Sequence, residues 1–329
     1  MSPTVSVIIP NYNHAPYLKE RIDSVLNQTY QDFEVIILDD CSPDNSVEVI
    51  EQYRSNPHVS HILINEQNTR NTFIQWERGI SMAKGRYIWI AESDDVAEPQ
   101  LLETLIGQLE QHPDASVAFC HSRLIDADGA LLSEQNTKNP AQPGQITIDD
   151  SCTFLRHLLI FNYIYNASMA VFRRDVYDRA NPDYKQFRYC GDWHFWASVC
   201  AAGRVIEVYD MLSRFRQHQR KVTEDSKKDV FHVWNDEMKT IRYIASLCKL
   251  TTLEQRCLKG RLSKRLRRAD MTEEERQQLR NEFPSLCSGS TLDAVCYELG
   301  KNLFGFLRHR ENIGFLSRKH FYKASASVE

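Results

Sequence analysis

The residues best placed to do chemistry are three carboxylates, Glu92, Asp94 and Asp95, which follow an apolar run of the chain. Residues 87–92 are mostly apolar and come after Gly85, and this pattern predicts a strand that is buried on both faces. Open parallel sheets bind ligands beyond the carboxyl ends of their strands, so these acids should face a site. Hard oxygen ligands at this density suit Mg²⁺ or Mn²⁺ bound to phosphate oxygens, and the alternative is an acidic, solvated turn.

The elements that position these acids alternate between strand and helix. The apolar patterns predict four strands, at residues 5–10, 33–38, 61–64 and 87–92. A helix is predicted after each of the first three strands. Right-handed crossovers place the carboxyl ends of such strands at one edge of a three-layer α/β/α domain with a mostly parallel central sheet. Asp39 and Asp40 end the second strand, so they should lie on the same edge as residues 92–95. Asp39 is expected to help cap a helix that begins at Ser42 and Pro43.

The α/β pattern continues after residue 98, and the chain then becomes helical. The patterns predict a helix at residues 99–111, a hairpin at 126–129 and a second helix that begins at Gly191. They also predict three strands, at residues 116–120, 167–172 and 205–209. Residues 133–148 have the composition of a loop, which we expect to be mobile over the site. No strand pattern follows residue 226, and residues 251–329 carry 15 Lys and Arg against 10 Asp and Glu, whereas the chain as a whole is acidic.

Composition indicates a folded chain of 329 residues, 42% hydrophobic and 26% charged, with a core large enough for one large domain or two modest ones. The nine cysteines include no Cys-x-x-Cys pair, which argues against a disulfide framework and a zinc site and favours a reducing compartment. The longest apolar stretch, residues 158–165, is too short to cross a bilayer, and no signal peptide is recognised. We therefore expect a cytoplasmic protein.

Three segments, residues 5–13 (VSVIIPNYN), 28–42 and 85–95, together resemble the family-2 glycosyltransferases with the A-type, nucleotide-diphospho-sugar-binding fold. The likeness is dense over residues 4–95 and looser as far as residue 223. It implies a catalytic domain at residues 1–225, which consists of a nucleotide-sugar half at 1–98 and an acceptor half at 99–225. A helical C-terminal region follows at residues 226–329.

The resemblance also implies the reaction. The expected activity is inverting, metal-dependent transfer of one sugar from a UDP- or dTDP-sugar to a hydroxyl of a glycan or lipid-linked glycan, as in surface polysaccharide biosynthesis, with no nucleic-acid partner. The Gln-x-x-Arg-Trp marker of processive synthases is absent from the sequence, so the transfer should be non-processive. A nucleotidyltransferase is one alternative, but residues 11–14 lack the glycine- and basic-rich loop expected there. A non-catalytic sugar-nucleotide binder is another.

Site residues follow from the resemblance by position. It implies Asp192 as the catalytic base, Asp94, Asp95 and His218 as ligands of Mg²⁺ or Mn²⁺, and, as residues that bind the nucleotide sugar, Pro10, Tyr12, Asn13, Asp40, Glu92, Ser93 and Asp94. Asp40 should hydrogen-bond the nucleobase. Glu92 replaces the usual first Asp of the Asp-x-Asp motif, and Gly191 stands where many relatives have Glu.

Each of these roles has a simpler structural alternative. Asp192 can cap the helix that it begins, and His218 can be a packing or surface residue. Trp193 and Trp196 can line an acceptor pocket or pack in the core. The basic residues of 259–268 can form a solvated face or contact anionic lipid headgroups, which would place the protein at the inner face of a membrane.

Overall fold

The computed structural model describes residues 2–133, 144–218 and 229–303, with side chains as far as residue 300. Residues 134–143, most of the loop predicted to be mobile, lie outside these ranges. In chain order the strands of the described residues are β1 Val5–Asn11, β2 Phe33–Asp39, β3 Val59–Ile64, β4 Tyr87–Ile90, β5 Val96–Ala97, β6 Ala115–Ile125, β7 Leu131–Ser133, β8 Ile146–Asp149, β9 Ala170–Arg173 and β10 Arg204–Arg216. The helices are α1 Ala15–Leu26, α2 Ser46–Glu51, α3 Thr72–Met82, α4 Leu101–Gln111, α5 Ser151–Leu158, α6 Gly191–Ala201, α7 Val230–Leu247, α8 Thr252–Arg267, α9 Glu273–Glu282, α10 Pro284–Cys287 and α11 Thr291–Leu303.

One central sheet joins these strands in the order β3-β2-β1-β4-β9-β6-β10-β5, with β7 paired to β6 and β8 paired to β10. Strands β3, β2, β1 and β4 run parallel, whereas β9 is antiparallel to both of its neighbours. The sheet is therefore mixed, and its parallel half contains the strands that end in the predicted acids. Flanking helices complete the α/β architecture predicted from the sequence.

The parallel half of the sheet forms the centre of the core. Every residue of β1, β2 and β4 is buried, because helices cover both faces of this part of the sheet. Gly85 leads into β4 and donates its backbone N–H to Ser6 Oγ at 2.8 Å. A Cβ at position 85 would lie 2.5 Å from the Ser6 nitrogen, so only glycine allows β4 to approach β1 this closely.

Several predicted element boundaries differ from the observed ones, and polar side chains explain two of these differences. Ser42 does not begin a helix, since Asp39 accepts hydrogen bonds from its backbone N–H at 2.9 Å and its hydroxyl at 2.6 Å, and α2 starts only at Ser46. The predicted strand at 167–172 begins as the 3₁₀ turn Ala167–Met169, because the Asn166 side chain accepts the N–H of Ser168.

The described residues from 229 onward are helical, as predicted. Helix α7 packs against α5 and α6, and α8 packs against α11. The basic run in α8 takes part in this packing, since Arg265 forms an ion pair with Glu237 and Lys264 forms one with Glu298. Arg267 and the neighbouring arginine at 268 are exposed. Over the described ranges, none of the helices combines the length and the apolar character needed to cross a membrane.

Candidate active site

The acidic residues meet at one edge of the sheet. Strands β1, β2 and β4 are parallel and adjacent, so the residues that follow them emerge side by side. The N–H of Asp40 donates to the Asn11 carbonyl at 2.9 Å, which joins the ends of β1 and β2. The prediction that Asp39 and Asp40 share an edge with residues 92–95 is confirmed.

The loop after β1 has a defined shape. Pro10 is buried in the strand, and the Asn11 side chain donates to Asp39 Oδ1 at 2.7 Å. Asn13 has φ 57°, a left-handed conformation that asparagine tolerates, and its N–H donates to Ser42 Oγ at 2.9 Å. These contacts leave the Tyr12 side chain 46% exposed, in a position to contact a ligand.

Asp40 is buried and holds the loop that follows β3. Its carboxylate accepts hydrogen bonds from the Asn65 side chain at 2.7 Å, the Thr69 N–H at 2.9 Å and the Gln75 side chain at 2.9 Å. The Thr69 hydroxyl donates to the second oxygen at 2.7 Å. These partners were not predicted, and they account for the burial of Asp40 independently of any nucleobase. Its contact with a base stays a prediction.

Asp94 and His218 lie together, and His14 is beside them. His218 Nε2 is 3.0 Å from Asp94 Oδ2, and the rings of His14 and His218 contact edge to face with centroids 5.3 Å apart. One ligand atom from each of the three residues lies within 4.8 Å of the others. Two imidazole nitrogens and a carboxylate oxygen at this spacing fit a divalent cation. His14 was not predicted, because a histidine after a strand-ending loop has no distinguishing pattern.

Asp95 is not part of this group of three in the described ranges, and its carboxylate makes other contacts. Its side chain is 1% exposed and accepts hydrogen bonds from Asn166 Nδ2 at 2.7 Å, Ser168 Oγ at 2.8 Å and the Arg216 N–H at 3.0 Å. The guanidinium of Arg21 is 4.0 Å away. These contacts fit a positioning role for Asp95, and its ligation of the metal stays a prediction.

The backbone of the acidic motif is held by two buried arginines. Arg21 Nε donates to the carbonyl of Glu92 and Arg216 Nε donates to the carbonyl of Asp94, each at 2.8 Å. The Glu92 side chain turns the other way and accepts the Trp76 Nε1–H at 3.0 Å. Burial, and to a lesser extent the negative charges of Asp94 and Asp95, raises the pKa of Glu92 to about 8. This carboxyl is therefore largely neutral at pH 7.

Asp192 is the second residue of α6, whose N-cap is Cys190. Its Oδ2 accepts a hydrogen bond from Asn162 Nδ2 at 3.0 Å. Burial raises the pKa of Asp192 to about 6, while hydrogen bonds from the backbone and from Asn162 act in the opposite direction. A carboxylate with this pKa is ionised at neutral pH and basic enough to take a proton.

Position 191 has no room for a side chain. A Cβ on Gly191 would lie 2.3 Å from a ring carbon of Phe73 and 2.5 Å from the backbone carbonyl oxygen of Tyr184. The glutamate that many relatives have here therefore does not fit this packing. Trp193 and Trp196 are both buried, which favours the core-packing alternative for these two residues.

One short segment connects Asp192 to the acidic edge. Asn162 donates to Asp192, and Asn166 and Ser168 donate to Asp95. Four residues of chain span at most about 14 Å, which limits the distance between Asn162 and Asn166. The two acids are thus held at the two ends of residues 162–168, although they are 97 positions apart in sequence.

Comparison with known proteins adds independent information. The model of the family described as glycosyl transferase family 2 matches residues 6–180. An uncharacterized glycosyltransferase of Haemophilus influenzae is 26% identical over 219 residues, which cover 66% of this chain and 66% of that protein. The chain spans between 39% and 66% of the length of four curated relatives that it matches.

Two solved structures share the fold. Staphylococcus aureus TarS 1-349 in complex with UDP-GlcNAc has a TM-score of 0.64 at 17% identity, with 99% of this chain and 92% of that chain covered. The mannosyltransferase PcManGT from Pyrobaculum calidifontis, in complex with GDP-Man and Mn²⁺, has a TM-score of 0.56 at 16% identity, with 100% and 89% covered. At these identities the likeness shows the A-type fold alone.

Proposed function

Because the chain belongs to glycosyl transferase family 2, we propose that it is an inverting, metal-dependent, non-processive hexosyltransferase. It moves one sugar from a nucleotide-diphospho-sugar, UDP- or dTDP-linked, to a hydroxyl of a glycan or lipid-linked glycan, as in the synthesis of surface polysaccharides. The observation that carries this proposal is the segment 162–168, which ties Asp192 to the acidic edge of the sheet.

The reaction is a single displacement with Asp192 as the base. Asp192 takes the proton of the acceptor hydroxyl, whose oxygen then attacks the anomeric carbon from the side opposite the diphosphate. The bond from that carbon to the diphosphate oxygen breaks with its electron pair, and the configuration inverts. Asn162 orients the carboxylate through its hydrogen bond to Oδ2 and stabilises the ionised form that accepts the proton.

A divalent cation held by Asp94 and His218 would neutralise the charge that develops on the leaving diphosphate. Asp95 keeps these ligands in place through the Asn166, Ser168 and Arg216 contacts at the end of the motif. This positioning matters because small displacements at a reacting centre cost rate.

The nucleoside lies across the loops after β1 and β2 in this proposal. Tyr12 is exposed at that edge, and Asn13 and Pro10 give its loop a fixed shape. In this arrangement Asp40 hydrogen-bonds the base, and the Glu92 carboxyl binds a ribose hydroxyl. The solved relatives that share the fold are titled with UDP-GlcNAc and GDP-Man, which supports a nucleotide-sugar donor in general.

Peripheral contact with an anionic membrane is proposed for the C-terminal helices. Leu292, Val295 and Leu299 are exposed on α11 with the spacing of one helix face, and Arg267 at the end of α8 is exposed as well. Flotation with anionic vesicles at low salt should recover the protein, and high salt or neutral lipid should release it. Equal recovery with neutral vesicles, or none with anionic ones, would contradict this contact.

A thermal-shift screen tests the donor assignment. Ligands that bind only the folded state raise the melting temperature, so nucleotide sugars should be ranked with Mn²⁺ and with a chelator. UDP- or dTDP-sugars should give the largest shift, and the chelator should abolish it. If no nucleotide sugar shifts the melting temperature, the proposed function is wrong.

A further inference from the structure

We propose that His14 is a third protein ligand of the cation, which gives a site of two imidazoles and one carboxylate formed by His14, Asp94 and His218. The Asp-x-Asp motif and the histidine after β10 do not point to this residue, which is the N-cap of α1. The inference rests on the proposed function only for the place where the cation acts. Cation binding itself is measured without donor or acceptor.

The distances match coordination of a single ion. At a metal–ligand distance of about 2.1 Å, two neighbouring ligands of an octahedral ion are about 3.0 Å apart and two opposite ligands about 4.2 Å apart. His218 Nε2 and Asp94 Oδ2 are separated by 3.0 Å, as a neighbouring pair would be. The ligand atom of His14 lies within 4.8 Å of both, so a local adjustment of these side chains would bring all three atoms around one ion.

The His14 ring is held in place by its surroundings. Its Nδ1 is 2.9 Å from the hydroxyl of Ser93, the residue between Glu92 and Asp94 in the acidic motif. Histidine ligands usually bind the metal through one ring nitrogen while the other is fixed by a hydrogen bond. Tyr17 packs near both imidazoles, with ring centroids 6.0 Å from His14 and 5.1 Å from His218. The side chain therefore needs no large rearrangement to bind an ion.

The ligand set makes a statement about metal preference. Mg²⁺ is usually bound through one or two carboxylates and phosphate oxygens, whereas imidazole suits transition metals such as Zn²⁺, Fe²⁺ and Ni²⁺, a series in which Mn²⁺ is the weakest binder. Two imidazoles and a single carboxylate should therefore favour Mn²⁺ over Mg²⁺. An assignment from the acidic motif alone, with its oxygen ligands, leaves both ions possible.

The test measures Mn²⁺ binding to the whole chain by electron paramagnetic resonance and by calorimetry, in the absence of nucleotide. His14→Ala should weaken Mn²⁺ binding by about tenfold or more, since even the loss of an outer partner of a metal ligand typically costs 10–100-fold. His14→Gln preserves more of the side-chain volume and serves if the alanine variant does not fold. His61→Ala, which removes an imidazole from β3, is the matched control and should leave the affinity unchanged.

Nitrogen couplings on the bound Mn²⁺ separate coordination from a structural role. The wild-type spectrum should show two imidazoles, and the His14 variants should show one. A wild-type spectrum with one imidazole, two imidazoles retained in a variant, or equal affinity of the wild type for Mg²⁺ and Mn²⁺ would each overturn the proposal. None of these results depends on sugar transfer. A failed transfer assay with intact two-imidazole binding would instead count against the proposed function.

Discussion

Replacement of Asp192 by asparagine removes a proton acceptor and keeps the shape of the side chain. The amide oxygen can still accept the hydrogen bond that Asn162 donates, and the N-cap of α6 is Cys190, so the helix should form normally. If Asp192 is the base, the transfer rate should fall by about 10²–10⁴-fold, the usual contribution of a positioned general base. Donor affinity should change little.

The pKa of Asp192 adds a pH dependence to this prediction. With the pKa raised to about 6 by burial, about nine tenths of the carboxyl groups are ionised at pH 7 and about one tenth at pH 5. The wild-type rate should thus fall by about tenfold between pH 7 and pH 5 as the base becomes protonated. With the ordinary value of 3.8, the rate would scarcely change over this range.

The contribution of Asp192 to the free energy of unfolding should rise as the pH is lowered, whereas the transfer rate should fall. Since the pKa of Asp192 is higher in the folded state than in the unfolded state, its stabilising effect is full below pH 3.8 and is lost as the pH rises through about 6. A neutral asparagine avoids the burial of a charge. Asp192→Asn should therefore be at least as stable as the wild type at pH 7 and closely similar to it near pH 4.

Transfer rates and melting temperatures from pH 5 to pH 8 test these expectations together. Asp150 provides the matched control, because its side chain caps α5 by accepting the Thr153 N–H at 3.0 Å. Asp150→Ala should lose about 1 kcal/mol of stability with little change in rate per folded molecule. A fully active, normally folded Asp192→Asn protein would refute the assignment of the base, and the remaining acids that face the donor would then be tested.

Three further substitutions test other parts of the site. Asp40→Ala should weaken nucleotide binding by about 1–3 kcal/mol in calorimetry while metal dependence is retained, and unchanged affinity would limit Asp40 to holding its loop. Asn162→Ala removes a hydrogen bond to ionised Asp192, so the acid limb of the pH–rate profile should move to higher pH; an unmoved limb would contradict this link. Gly191→Ala should lower the free energy of unfolding in denaturant by about 1–3 kcal/mol, because the added Cβ has no room. Gly107→Ala is the control and should not destabilise the fold, because nothing lies within 4 Å of its added Cβ. Equal stability of the two glycine variants would show that the packing at 191 is looser than described.

The edge where the acids meet was predictable from the sequence. Buried parallel strands have continuous apolar runs, and such a run ends abruptly at Asp39 and at Glu92. Parallel pairing then brings the two ends together, so the shared edge follows from pattern and chain geometry. Asp192 needed the family resemblance, because an acid near a helix start is equally typical of a cap.

The side chains that complete the site were not predictable in the same way. Asn162, Asn166 and Ser168 belong to residue types that are common in loops, and their partners lie 30 to 73 positions away in sequence. Which carboxylate turns toward the buried arginines and which toward the histidines depends on the turn after β4. A pattern of residue types does not carry that information, so the sequence does not separate the role of Asp95 from that of Asp94.

The most direct test of the central claim is the fate of a nucleotide sugar mixed with the protein and a divalent cation. Chromatography measures release of the nucleoside diphosphate, and nuclear magnetic resonance with Mg²⁺ gives the anomeric configuration of the first-formed sugar product, with a hydroxyl acceptor or with water. The account predicts release that a chelator stops, with a β-configured product from an α-linked donor. A retained configuration, or no diphosphate release from any nucleotide sugar, would contradict it.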